Sequence, residues 1–139
     1  MAQPDSIEDL CRYLDIYIWD LQLNCLFCKD YLANTELCAF MYKDLKLTWK
    51  GGYPYGICYK CTILKTRELA FRHHDWSAYA RTVETDCGLP LSDIRIRCVV
   101  CLIPLREEDK VRHLTRHRRF IKVAGYWRGR CTHCWNTPL

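Results

Sequence analysis

The sequence predicts an α+β protein of two tandem, duplicated zinc-binding lobes, each a short antiparallel sheet with helices, joined by a connecting helix. Three observations carry this. Cys25 and Cys28 form one CxxC pair and Cys58 and Cys61 another, with 29 residues between them; Cys98, Cys101, Cys131 and Cys134 repeat the arrangement 73 residues later. A CxxC turn presents two thiolates to one small cation, and two such turns complete the tetrahedral four-sulfur shell of a structural zinc. The chain has 139 residues, so each lobe is of a size (roughly 70 residues) at which an apolar core alone is marginal. Two zinc ions per chain are therefore expected, each supplying about 10–16 kcal/mol of binding energy that appears as folding energy. A disulfide framework needs an oxidising compartment and accounts for neither the CxxC turns nor the repeat.

The expected boundaries are 1–61 for an N-terminal helix and the first lobe, 62–90 for the connecting helix and linker, and 91–139 for the second lobe and a short tail. Ser6 with Asp9 resembles a capping box, and Ile7, Leu10, Cys11 and Leu14 follow at helical spacing. Residues 18–24 read as an extended lead into the first zinc turn. Asn34 or Thr35 caps a helix through about Tyr42, with Leu37, Phe40 and Met41 as its apolar residues. Leu45, Leu47 and Trp49 alternate with Lys46, Thr48 and Lys50, which is strand period; Gly51-Gly52 turns the hairpin and 53–57 return. Residues 62–82 contain no Gly or Pro and read as one connecting helix with a loose stripe of Leu64, Phe71 and Ala78. Gly88 and Pro90 end it. Ile94, Ile96 and Cys98 then alternate with Arg95 and Arg97 along a strand. Residues 107–116 form the second lobe's helix, with Val111 and Leu114 expected inward, before a hairpin of 120–123 and 126–130 turned by Ala124-Gly125. Over the 37 positions from 25 to 61 the two copies align without a gap and share eight residues, among them Gly52/Gly125 and Gly56/Gly129.

Composition narrows the function classes. No basic and apolar leader is visible at the start, and no apolar run approaches the ~20 residues of a membrane span. Eleven cysteines without such a leader point to a reducing compartment; Cys11, Cys38 and Cys87, outside the zinc sets, read as small buried hydrophobes. The formal charge of +5 is uneven: residues 94–139 hold 11 basic and 3 acidic side chains, which suits an acidic partner.

The combination resembles early protein six of the papillomaviruses, an oncoprotein family with two zinc domains of this cysteine spacing. The residues that carry the resemblance are the four CxxC pairs, KGGYPYGICYKC, FRHHDW, DIRIRCVVC and YWRGRCTHCW; several pieces are closest to mucosal-type members. It implies a non-enzymatic adaptor of the host cytoplasm and nucleus. Such adaptors capture acidic LxxLL helices in a groove between the lobes and the connecting helix. The partner it implies is a HECT-type ubiquitin ligase, redirected toward a second client protein, or alternatively the Mastermind coactivator of Notch signalling. By position in the family pattern, Phe27, Phe40, Leu45 and Ile57 form the pocket wall, Leu64 adds to it, and Arg72 and Arg97 clamp the peptide. Tyr126 stands where several members carry an arginine, which leaves one contact and the partner preference open. From the residues alone, Phe40 and Leu45 fit a first-lobe core better than a groove, and Arg97 fits a solvated strand position or support of the zinc thiolates.

Other classes fit less of the chain. Catalysis by Cys–His chemistry finds its cysteines already claimed, and His73-His74 lack the i, i+4 spacing of a helical metal pair. A cross-braced ligase is disfavoured because each copy holds a complete site. Nucleic-acid binding is the alternative from another class: Arg112, Arg116, Arg118, Arg119 and Lys122 lie near Phe120, Tyr126 and Trp127 in the sequence, which suits weak, salt-sensitive binding. Thr137 two places before Leu139 formally fits a PDZ ligand, but it follows Cys134 by three residues, too few to add a strand freely.

Overall fold

The computed structural model describes residues 3–139. The chain packs as two compact units, one running to Thr62 and the other from Ile63 to Leu139.

The first unit begins with α1 (Ile7–Leu14), where Ser6 Oγ accepts the Asp9 N–H at 3.1 Å and Ile7 and Leu10 are buried. A 3-10 turn at Ile18–Asp20 replaces part of the extended lead the sequence suggested. Next come β1 (Asn24–Cys25), α2 (Asn34–Tyr42), β2 (Thr48–Lys50) and β3 (Tyr53–Gly56). The cap of α2 is Ala33 rather than Asn34 or Thr35: its N–H donates to Glu36 Oε1 at 3.0 Å, so an acid one turn inside closes the helix end. Gly51 and Gly52 both have positive φ, 58° and 83°, the conformation a two-residue hairpin turn needs. The sheet order is β1-β3-β2, with β1 parallel and β2 antiparallel to β3. Ile7, Leu10, Leu23, Leu37 and Phe40 form its core.

The 62–82 helix is not what forms. Helix α3 runs Tyr59–His73, and β4 (His74–Ala78) follows, then α4 (Ala80–Cys87) ending at Gly88 with φ 71°. Strand β4 exists because it pairs antiparallel with β6, Ala78 opposite Phe120, a tertiary pairing that overrides weak local preference. Of the expected stripe, Phe71 is 90% exposed and Leu64 is 52% exposed; only Ala78 is buried, and it lies in the strand. A 3-10 turn (Leu91–Asp93) and β5 (Arg97–Cys98) lead to α5 (Glu107–Thr115), β6 (Phe120–Val123) and β7 (Tyr126–Gly129), in sheet order β4-β6-β7-β5. The burial alternation of Ile94, Ile96 and Cys98 against Arg95 and Arg97 holds, although only the last two residues are strand. Val99, Phe120 and Trp127 anchor this core.

Helix α5 corrects the expectation most sharply. Val111 and Leu114 face solvent, at 46% and 51% exposure, and the residues turned inward are Asp109, Lys110 and His113. Each is hydrogen-bonded, as burial of polar groups requires. Lys110 Nζ donates to the carbonyls of Leu91 and Ile94 at 3.0 and 2.7 Å, and Asp109 Oδ1 accepts from Thr132 N and Oγ1. The spare cysteines depart from expectation too: Cys38 is exposed, and Cys11 and Cys87 are half-buried.

The 73-residue repeat extends further than the cysteines. Helix α1 maps onto α4, the first 3-10 turn onto the second, β1 onto β5 and α2 onto α5, each without a gap. The Leu47 N–H to Asp5 carbonyl bond of 2.7 Å occupies the place of the Ala78–Phe120 pairing. Left-handed backbone recurs at Lys29/Leu102, Asp44/His117 and Gly51/Ala124, although the residue types differ. Across 5–24 and 78–97 only Asp20/Asp93 is identical.

Candidate functional site

Each set of four cysteines converges on one point. Within each, all four Sγ atoms lie within 4.8 Å of one another, and Cys28–Cys58 and Cys101–Cys131 approach to 3.7 and 3.9 Å. A tetrahedral zinc with Zn–S of about 2.3 Å sets its sulfurs at about this separation. A disulfide, at about 2.05 Å, does not. The two clusters are two zinc sites.

The local chain builds these sites by backbone means. After Cys28 and Cys101 the chain turns through left-handed Lys29 and Leu102, whose N–H groups return to the carbonyls of Cys25 and Cys98. The second CxxC is tied down by an acid from the neighbouring helix: Glu36 Oε2 accepts from Tyr59 N at 2.6 Å, as Asp109 does from Thr132. Gly56 and Gly129 bring β3 and β7 close enough that an added Cβ would meet Leu23 at 2.9 Å and Leu105 at 2.7 Å.

The thiols confirm the need for a cation. Burial raises Cys25, but N–H groups of Cys28, Cys58 and Phe27 outweigh it and lower its pKa to about 6. Cys98 is lowered to about 4 by the Cys101 thiol, with help from N–H groups of Cys131, Cys101 and Val100. Burial, together with the neighbouring cysteines, pushes Cys61 and Cys134 up to about 12. One thiolate per site forms readily while Cys61 and Cys134 resist ionisation, so a shell of four thiolates calls for the charge of a metal.

The peptide-binding candidates are distributed over both units. In the first, Phe40, Leu45 and Ile57 come together, lining a concavity of about 200 Å³ with Thr35, Ala39 and Lys43. The Glu36 carboxylate at this wall accepts from Ala33 N and Tyr59 N, and Lys43 at the rim has its Nζ 5.6 Å from the Tyr59 ring centroid. Phe27 is half-exposed in the first zinc turn and does not line this concavity. Leu64 and Arg72 lie on α3. Leu64 lines a separate surface depression with Phe71 and Leu139, and Arg72 pairs with Glu68 at 3.5 Å.

In the second unit Arg97 donates from Nη1 to the Leu102 carbonyl at 2.7 Å, closing the zinc turn as Asn24 Nδ2 does at Lys29, at 2.8 Å. Tyr126 lines a second cavity, about 160 Å³, with Thr66, Leu69, Val99, Leu102 and Arg128. Arg128 and Leu69 were not among the expected site residues; the strand alternation that puts Tyr126 and Arg128 on one face is the signal that finds Arg128.

Two alternatives lose ground. Phe120 and Trp127 are buried, which removes two of three aromatic faces from a nucleic-acid surface. Thr137 is held at both backbone groups, its N–H donating to Cys134 and its carbonyl accepting from Arg130. No helix among the described residues is long and apolar enough to cross a membrane.

Fold and sites together define a duplicated four-cysteine zinc protein. A family described as Early Protein (E6) matches residues 25–134. The chain is 44% identical to Protein E6 of Human papillomavirus type 54, covering 96% of this chain and 92% of that protein. It is 41% identical to Protein E6 of Human papillomavirus type 6a, covering 96% and 89%. The solved C-terminal zinc-binding domain of HPV51 oncoprotein E6 is 38% identical, covers 45% of this chain and 83% of that one, and has a TM-score of 0.43. The chain belongs to the papillomavirus E6 early protein family.

Proposed function

We propose that this E6 protein works by binding rather than by catalysis, as an adaptor that captures an acidic LxxLL helix of a host protein. The observation that supports this is the open first-unit concavity, in which Phe40, Leu45 and Ile57 form an apolar wall beside Lys43. An amphipathic helix anchors its leucines in such a cavity, and cations meet its acidic flank. The bound protein is a HECT-type ubiquitin ligase, presented with a second client in the host cytoplasm and nucleus. The runner-up partner is the Mastermind coactivator.

A fluorescence titration of the zinc-loaded chain with acidic LxxLL peptides from both partners, each with a leucine-to-alanine control, tests this. Saturable binding that needs the leucines is expected, and Leu45→Glu should abolish it while two zinc ions remain bound, because it puts a charge against an apolar wall. Unchanged affinity in that variant moves the site elsewhere. Binding of single-stranded nucleic acid alone, with steep salt dependence, defeats the adaptor reading.

A further inference from the structure

The 73-residue correspondence sets β4 against residues 1–5 of the first unit, and there the two copies part. In the second unit β4 covers the outer edge of β6, with Trp76 opposite Lys122. The Trp76 ring meets the Trp127 ring edge-on at 5.0 Å, and Asp86 Oδ2 accepts from Lys122 Nζ at 2.8 Å and from Trp127 Nε1 at 2.9 Å. Strand edge and side-chain space are both filled.

In the first unit residues 3–5 form no strand, and β2 ends the sheet among the described residues. The Leu47 N–H still bonds the Asp5 carbonyl at 2.7 Å. Beyond that bond the pattern stops. Thr48 and Lys50 lie opposite Tyr55 and Tyr53 of β3, whereas Trp49 lies opposite Pro54, which has no N–H. The Trp49–Pro54 pair is therefore a non-hydrogen-bonded one, and the backbone N–H and carbonyl of Trp49 point outward from the sheet edge. Neither meets a partner among the described residues. Tyr13, Trp49 and Pro54 stand where the second unit has Asp86, Lys122 and Trp127. They are uncharged, so no ion pair draws them together, and with Leu10 and Leu14 they line an open cavity of about 350 Å³. One side-chain bond, from Trp49 Nε1 to the Pro4 carbonyl at 2.6 Å, holds the lead segment where the second unit has a ladder.

We propose that the outer edge of β2 is a strand-addition site, and that its occupant is an extended segment of a partner protein bearing an aromatic side chain. The partner's backbone pairs with the N–H and carbonyl of Trp49, and its ring enters the Tyr13–Trp49–Pro54 cavity, as β4 and Trp76 do in the second unit. An unpaired strand edge is a template for such pairing; main-chain bonds give affinity and the side-chain pocket gives specificity. Gln3 and Pro4, at the rim of the cavity, are what the incoming strand displaces. The site lies wholly within the first unit and shares no residue with the Phe40–Leu45–Ile57 concavity, so it does not depend on helix capture.

The test uses the zinc-loaded full chain and a fluorescent peptide of residues 72–80, RHHDWSAYA, the segment that covers the equivalent edge. Anisotropy should show saturable binding. Replacing the peptide's tryptophan by alanine, or N-methylating its backbone at that residue, should each weaken binding roughly tenfold or more. The double variant Tyr13→Asp, Trp49→Lys installs the second unit's ion pair and should lose binding to the same degree while keeping two zinc ions and cooperative melting; Tyr13→Asp alone should shift affinity in the same direction. Leu45→Glu should leave it unchanged. Absence of saturable binding by the unaltered chain overturns the proposal, as does equal binding of the three peptides or unchanged binding by the folded variants. Self-association that the double variant abolishes, without peptide binding, would overturn it in favour of a second copy of the chain at this edge.

Discussion

The two units are one fold used twice, and they differ most where the first unit is open. The residues around its concavity, Phe40, Leu45, Ile57 and Thr62, correspond in the second unit to His113, Arg118, Arg130 and Trp135. There the Trp135 indole meets the His113 ring edge-on at 5.0 Å, and Arg112 and Arg118 lie over it at 5.7 and 4.7 Å. Arg118 reaches the Trp135 carbonyl as well. A tryptophan and its cations thus fill in one copy the place an apolar cavity occupies in the other. The opening is not a requirement of the zinc fold, which supports reading it as a binding feature. The reverse holds at the parallel strands, where the first unit is neutral and the second carries two arginines.

Metal removal should break the comparison most completely. Both units should unfold in strong chelator, losing about 10–16 kcal/mol per site, and not simultaneously. Cys28 is exposed, whereas no ligand of the second site is. Alkylation mapped by mass spectrometry during a chelator titration should label Cys28 and its partners before the 98–134 set. One zinc per chain, or release in the opposite order, would contradict the duplicated-site geometry.

A smaller effect tests the close approach of strand to core. An alanine Cβ at Gly129 would meet Leu105 at 2.7 Å and the His113 and Phe120 rings at 3.0 Å; at Gly56 it would meet Leu23 at 2.9 Å, with Leu32 and Phe40 at 3.2 and 3.5 Å. Overpacking of this kind costs about 1–3 kcal/mol. Urea denaturation of the zinc-loaded chain should show Gly129→Ala to be the more damaging, since two rings must give way there. Equal losses would mean that the second core relaxes as easily as the first.

The cysteine spacing made the metal centres and the duplication legible, and the Gly51-Gly52 turn made the hairpin so. What the sequence hid was the repeat outside the cysteines, because pairs such as Leu10/Val83, Leu21/Ile94 and Leu23/Ile96 conserve burial without identity. Without that frame 74–78 looked like more helix, since HDWSA has no strand pattern of its own and gains one only from β6. Helix α5 misled for a related reason. Apolar periodicity assumes that what is inside is apolar, but Lys110 and His113 stand where the first unit has Leu37 and Phe40. Reading the second helix through the first would have placed them correctly. The place of Arg128 at a cavity wall is not legible in the sequence, because a charged strand residue ordinarily faces water and this cavity is built by residues distant in sequence, Leu69 and Leu102.

The exchange of Phe40 for His113 gives the mildest prediction and the finest test. His113 stacks on Phe120 at 4.1 Å. One ring nitrogen is 3.1 Å from the Arg118 carbonyl and the other accepts the Arg130 N–H at 3.0 Å, so the neutral ring is satisfied on both sides. Burial lowers its pKa, and the charge of Arg118 opposes protonation further. The unfolded chain therefore takes up this proton first. Stability from the neutral ring is complete above the unfolded value of about 6.5 and is lost as pH falls toward the lower folded value. Zinc thiolates protonate in acid too, so the informative quantity is a difference. His113→Phe, which restores the first unit's residue, should lose stability at pH 8 because the Arg130 N–H loses its acceptor, and the deficit should narrow between pH 6.5 and 5. Calorimetry of both proteins across that range decides it: parallel pH profiles would mean that the histidine is a shape in the core and that its ionisation has no part in the second unit's stability.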